Sequence, residues 1–166
     1  EWQPVDEAHP LPVQVGDEGE PWETLPIEIP GIGVAAAYAT GEAFGTGFWI
    51  TVPPKGYIDS LTFLDPDNEG IAKTIYLFKT EITVSADNAA FTPVRADLVS
   101  GRPLQINLTA ADYVTHTGGQ MATVTAIGLP YEAPDGRLWV RLVTRGADSI
   151  AAGALPLVSF GGSRRR

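Results

Sequence analysis

No window of this sequence sustains an apolar stripe at helical spacing, and that absence constrains the fold more than any motif does. From about residue 31 onward, segments of five to nine residues rich in Val, Ile, Thr and aromatics alternate with clusters of Gly, Pro, Asn and Asp. The segments are "GVAAAYA" (33–39), "GFWITV" (47–52), "YIDSLTFL" (57–64), "IAKTIYLF" (71–78), "LQINLT" (104–109), "MATVTAIGL" (121–129), "RLWVRLVT" (137–144) and "GALPLVSF" (153–160). Within them the period is two. Leu104, Ile106 and Leu108 point one way while Gln105, Asn107 and Thr109 point the other, and Leu138, Val140 and Leu142 share a face. Short strands separated by turn residues predict an all-β, antiparallel two-sheet sandwich or jelly roll of about eight strands. A single domain of 166 residues buries enough surface for a core without staples. The chain has no cysteine, which excludes disulfides, thiolate zinc sites and thiol nucleophiles.

The first thirty residues follow a different grammar. They hold six of the 14 prolines: Pro4, Pro10, Pro12, Pro21, Pro26 and Pro30. Proline fixes φ and lacks a donor, so neither a helix nor a central strand fits there. Residues 1–28 carry eight of the 20 acids and no Lys or Arg, hence −8 of the net −9. The remaining 12 acids face 11 bases, three of them the terminal Arg164, Arg165 and Arg166. The chain therefore divides into an extended acidic arm (1–30), a β body (31–163) and a basic tail (164–166). A solvating tail would be poor in aromatics, whereas this arm is studded with apolar residues. Trp2, Val5, Leu11, Val13, Trp22, Leu25 and Ile27 are the expected partner-binding residues. The two indoles serve as anchors on the chain's own body or on a neighbour.

Two short helical turns are expected at sheet corners. "FTPVRADLVSG" offers Thr92 as N-cap, Pro93 at the first helical position and Gly101 as terminator. "TAADY" sets Thr109 three residues before Asp112, the spacing of a capping box.

The motifs that could carry chemistry fail one by one. "DPDNEG" (65–70) matches the first six places of a calcium loop, but the ninth place is Lys73 and the twelfth is Tyr76, where the ion needs oxygens. The stretch reads instead as a hairpin turn built on Pro66, Asp67, Asn68 and Gly70. "GIGVAA" echoes a dinucleotide fingerprint, yet Pro30 precedes it and no βαβ unit follows. His9 and His116, both in loop contexts, have no partner at metal spacing. No serine among Ser60, Ser85, Ser100 and Ser149 sits in a nucleophile elbow. No metal, cofactor or catalytic residue is assigned, and the chain reads as no enzyme. Asn107 opens an "NLT" sequon, which matters only in a secreted eukaryotic protein; otherwise it is an outward strand position. The acidic balance disfavours nucleic acid, although the three terminal arginines could clamp an acidic patch such as another copy's arm. No apolar run reaches membrane-span length.

Aromatics on a β body raise carbohydrate binding as the alternative. Trp49 and Trp139 lie inside apolar runs and read as core. Tyr57 and Tyr131, beside the turns "PPKG" and "APDG", are expected to be the exposed ones.

"GTGFWITVP…GYIDSLTFLDPDNEGIAKTIYLFKTE", then "ADNAAFTPVRADL", then "GLPYEAPDGRLWVRLVTRG" together resemble small structural proteins of tailed bacteriophages. The resemblance spans residues 45–160, is best over 86–98 and leaves the arm untouched. It implies a β-sandwich attached to the virion as a capsid decoration or cement protein. Its partners would be other copies of the chain, a trimer by analogy with coat proteins, and a major capsid or other virion protein. A host-facing, glycan-binding sandwich is the alternative.

Overall fold

The alternating segments pair into antiparallel sheets, and the fold is all-β in the computed structural model, which describes residues 19–33, 37–83 and 85–165. One sheet runs β1 (Pro21–Glu23), β12 (Leu157–Arg164), β5 (Lys55–Asp65), β9 (Gly119–Glu132) and β8 (Tyr113–His116), with β2 (Ile27–Glu28) also paired to β12. The second runs β4 (Ala43–Thr51), β10 (Arg137–Thr144), β6 (Lys73–Phe78) and β7 (Leu104–Leu108). A two-stranded ribbon joins β3 (Ala37–Tyr38) to β11 (Asp148–Ser149).

Period-two alternation decides what lies between the sheets. Ile58, Leu61 and Phe63 of β5, with Val158 and Phe160 of β12, meet Phe44, Ile50, Ile75, Leu77, Leu138, Val140 and Leu142 from the second sheet, all buried. Each such side chain contributes about 1.5–3 kcal/mol through burial. The opposite face of the second sheet would be wet in a simple sandwich. Here residues 79–103, the connection from β6 to β7, fold back over it. Phe78, Ile82 and Trp139 form a second apolar cluster there, with Trp49, Tyr76 and Phe91 packed against it. Trp49 meets Trp139 edge-on at 5.1 Å, and Tyr76 lies 5.2 Å from Phe91.

This connection is pinned by polar contacts rather than by regular structure. Asp87 accepts hydrogen bonds from the amides of Gly33 (2.9 Å) and Gly45 (2.7 Å) and from the Tyr38 hydroxyl (2.9 Å). Arg141, fully buried on the covered face of β10, donates to the carbonyls of Gly45 (2.7 Å) and Ser85.

Several expectations change. "DPDNEG" does not close a hairpin, because β5 and β6 belong to different sheets. It is a crossover between sheets, locked by Asp65, whose carboxylate accepts from the amides of Asp67 (3.1 Å) and Gly70 (3.0 Å). Asn68 and Gly70 take the left-handed φ that the turn demands, at 67° and 59°. The helix α1 (Arg95–Gly101) starts after Val94 rather than at Thr92, and Arg102, not Gly101, takes the left-handed cap at φ 40°. Gly101 is there for space: a Cβ on it would stand 2.8 Å from the Phe78 ring. The second turn forms as expected, with the Asp112 carboxylate accepting from the Thr109 amide (2.7 Å) and hydroxyl (2.8 Å).

Part of the span read as the arm belongs to the sheet. Residues 21–23 and 27–28 pair with β12, and the basic tail begins inside β12, which runs through Arg164. Pro21 is tolerated because β1 is an edge strand.

Candidate functional site

The residues assigned to partner binding separate into two groups. Trp2, Val5, Leu11 and Val13 lie outside the described residues. Trp22, Leu25 and Ile27 are placed, and each does something different. Trp22 turns toward the core from β1, half-buried, with its ring edge-on to Tyr131 at a centroid distance of 6.0 Å. Ile27, half-buried on β2, packs against the core beside Val158. Leu25, between the two strands, projects into solvent with 84% of its surface exposed. The tract therefore anchors on the chain's own body through Trp22 and Ile27 and offers Leu25 outward.

Next to Leu25 the outer face of the first sheet carries an apolar hollow of about 160 Å³. Pro26, Thr62, Leu64, Met121 and Leu157 line it. Strand alternation puts Thr62 and Leu64 on this face because Leu61 and Phe63 point to the core. Val114, 60% exposed on β8, extends the apolar character of the same sheet. A large exposed leucine beside an apolar depression is what a protein contact uses, since isolated apolar residues are ordinary but contiguous ones are not.

A second groove, about 270 Å³, opens where the ends of the two sheets meet, and Lys79, Arg102, Tyr131, Glu132 and Arg165 line it. Its three cations against one acid make it electropositive. Tyr131, read from sequence as exposed, is instead 5% exposed, and its hydroxyl finds no hydrogen-bond partner among the described residues. The cause is Gly56, which leaves room for the phenol where a Cβ would stand 2.8 Å from its oxygen. Burial, then the nearby Asp59 charge, pushes the Tyr131 phenol well above its ordinary value.

None of the aromatics weighed for a glycan site, Trp49, Tyr57, Tyr131 and Trp139, stands fully exposed. Tyr131 and Trp139 are buried, the Arg137 guanidinium stands 4.3 Å from the Trp49 ring centre, and the Arg165 guanidinium lies 6.0 Å from that of half-buried Tyr57. His116 is exposed at the tip of the β8–β9 hairpin, and no hydrogen bond joins it to a serine among the described residues. His9 lies outside them. Asn107 is exposed on β7, as read, and accepts from Thr74 (3.0 Å) and Gln105 (2.9 Å).

One cluster was not legible in the sequence. Lys73 shares a face with Ile75 and Leu77 and so points between the sheets, where alternation calls for an apolar residue. Its stem runs past Phe44 and Phe63, with Nζ 4.8 and 5.7 Å from their ring centres. Nζ ends 2.6 Å from Oδ2 of Asp148, the two side chains being 1% and 2% exposed, and it also donates to the Ile71 carbonyl at 2.9 Å. Burial drives the Lys73 ammonium below its usual value and the Asp148 carboxyl above its own, each opposed by the other's charge. Glu69 borders the pair and accepts from the Ser149 amide at 2.9 Å and from the Ser149 hydroxyl. Burial alone would raise the Glu69 carboxyl, but the Ser149 hydrogen bonds outweigh it and hold it low. Among the described residues no group of three or more His, Asp or Glu is arranged to hold a metal ion.

No family model matches this chain, and no curated protein matches it.

Proposed function

We propose that the chain is a structural subunit of a tailed-phage particle, of the capsid decoration or cement class, located on the virion surface. The observation that carries the reading is the exposed Leu25 beside the apolar hollow of Leu64, Met121 and Leu157 on the outer face of the first sheet. The resemblance over 45–160 supports the class of particle, and the cover built on Asp87 and Arg141 supports a rigid body made for adhesion. In this reading the outer sheet face and the tract meet a capsid or other virion protein. Repeated copies, a trimer by analogy, multiply weak contacts through avidity.

The test is particle composition. Particles purified from a host carrying the gene should contain the chain at a fixed copy number per shell position. Leu25→Asp should leave the purified protein folded and strip it from the particle. Particles that lack the wild-type chain would overturn the reading. Full attachment of the Leu25→Asp protein would instead remove the Leu25 face from it.

A further inference from the structure

We propose that Lys73 and Asp148 condense, once the chain has folded, into an intramolecular amide cross-link between the β6 strand and the β11 ribbon, with Glu69 as the proton carrier. The inference goes beyond the particle reading and does not depend on it.

Four observations converge on this pair. The reacting groups are already in contact, with Nζ 2.6 Å from a carboxyl oxygen of Asp148. Such prior positioning is the largest single aid to a bond-forming step between two groups. The surroundings are dry: both side chains are almost fully buried, and the phenyl rings of Phe44 and Phe63, one from each sheet, flank the amine. A dry site favours loss of water and protects an amide from hydrolysis. Burial also drives both partners toward their neutral forms, amine and carboxylic acid, which are the forms that react. Finally, a second carboxyl group stands beside the first. Glu69 is oriented there by the amide (2.9 Å) and the hydroxyl of Ser149, the residue that follows Asp148.

The remaining charged and titratable neighbours do not compete for the amine. Asp65 is occupied by the amides of Asp67 and Gly70. The Tyr113 hydroxyl donates to the Ile71 carbonyl at 3.0 Å, and Tyr38 is engaged by Asp87.

The step balances without a co-reactant. The lone pair on neutral Nζ attacks Cγ of protonated Asp148, and a C–N bond forms. Glu69 takes a proton from the nitrogen and passes it to the departing hydroxyl, so the C–O bond breaks and one water leaves. The product is a neutral amide, which removes two buried charges. That matters because a buried ion pair is a weak source of stability, its desolvation cost rivalling its attraction. The reaction happens once per chain and turns over no substrate.

Intact mass of the purified full-length chain is the test. The expected result is a mass one water below that of the sequence. Trypsin should then fail at Lys73 and leave residues 56–79 joined to 146–164. Lys73→Ala and Asp148→Ala should each restore the full mass. Glu69→Gln, which keeps the reacting pair and its burial, should slow formation by about 100-fold or more, the scale of a lost general acid–base group. Since either alanine variant risks misfolding, the wild-type mass and peptide map decide alone. A wild-type chain at full mass with separate peptides after prolonged incubation would overturn the proposal and leave an ordinary ion pair.

Discussion

The indole of Trp22 lies directly over Gly162, so close that a Cβ on the glycine would stand 2.6 Å from the ring carbon Cζ2 and would also strike the Tyr57 carbonyl. The first sheet keeps its outermost strand because β12 presents no side chain at that point. Trp22 itself is paired across from Gly162 in the ladder and packs edge-on to Tyr131. One bare position thus admits an aromatic anchor from a proline-rich tract.

Gly162→Ala should therefore lift β1 from the sheet. Overpacking a tight contact costs about 1–3 kcal/mol, and here the backbone carbonyl of Tyr57 cannot yield as a side chain could. The denaturant midpoint should fall accordingly, and Trp22 fluorescence should shift to the red as the ring meets water. An unchanged spectrum would mean that Trp22 holds its place by other contacts.

The cover over the second sheet makes a separate prediction. Asp87→Ala removes the acceptor for three donors, the amides of Gly33 and Gly45 and the Tyr38 hydroxyl. It also leaves the buried Arg141 guanidinium without its nearest countercharge. Unsatisfied donors cost about 1–3 kcal/mol each when water cannot reach them. Asp87 is half-buried, so partial rehydration keeps the expected loss near about 3 kcal/mol in total. Equilibrium denaturation measures it. Arg141→Met, which removes the charge together with its need for partners, should cost less than Arg141→Ala.

Three of the five tyrosines should resist alkaline ionisation. Burial raises Tyr38, Tyr113 and Tyr131, and the charges of Asp87, Asp65 and Asp59 respectively raise them further. A phenol whose folded value exceeds its unfolded value of about 10 favours the fold while protonated. That contribution is complete below the unfolded value and fades as pH rises through the folded one. Ultraviolet titration should show these three phenolates appearing only with cooperative unfolding at strongly alkaline pH. Smooth, reversible ionisation of all five tyrosines in the folded protein would contradict their burial.

Much of this fold is readable from period-two alternation, because one face of each strand must enter the core and a register slip would expose all of it. The same rule misleads at Lys73. A lysine between apolar neighbours reads as an outward residue, and its partner Asp148 lies 75 positions away, 148 minus 73, on a ribbon with no sequence signal of its own. The crossover at "DPDNEG" misleads similarly, since local turn chemistry fixes a bend but not which sheet receives the next strand. Tyr131 is buried only because Gly56 on a neighbouring strand makes room. Trp22, by contrast, was legible as an anchor because an indole in an otherwise extended acidic tract has few other uses.

Truncation separates the two halves of that tract. Removing residues 1–18 ends the chain at Gly19, whose amide bonds to the Arg164 carbonyl at 2.8 Å, so β1, β2 and their core contacts stay in place. With these contacts kept, stability should change by less than about 0.5 kcal/mol. Removing residues 1–28 takes away Trp22 and Ile27 and uncovers the β12 edge beside Val158 and Phe160, both fully buried in the intact fold. Two large side chains lost from a packed interface should cost several kcal/mol, at about 1.5–3 kcal/mol each. The bare β12 edge should also promote self-association, because an unpaired edge is a template for another strand. Thermal melts with sedimentation on both truncations measure these effects. Equal melting temperatures would show that the paired segment contributes nothing to the body, whereas a collapse on losing 1–18 would move the body's true boundary upstream of Gly19.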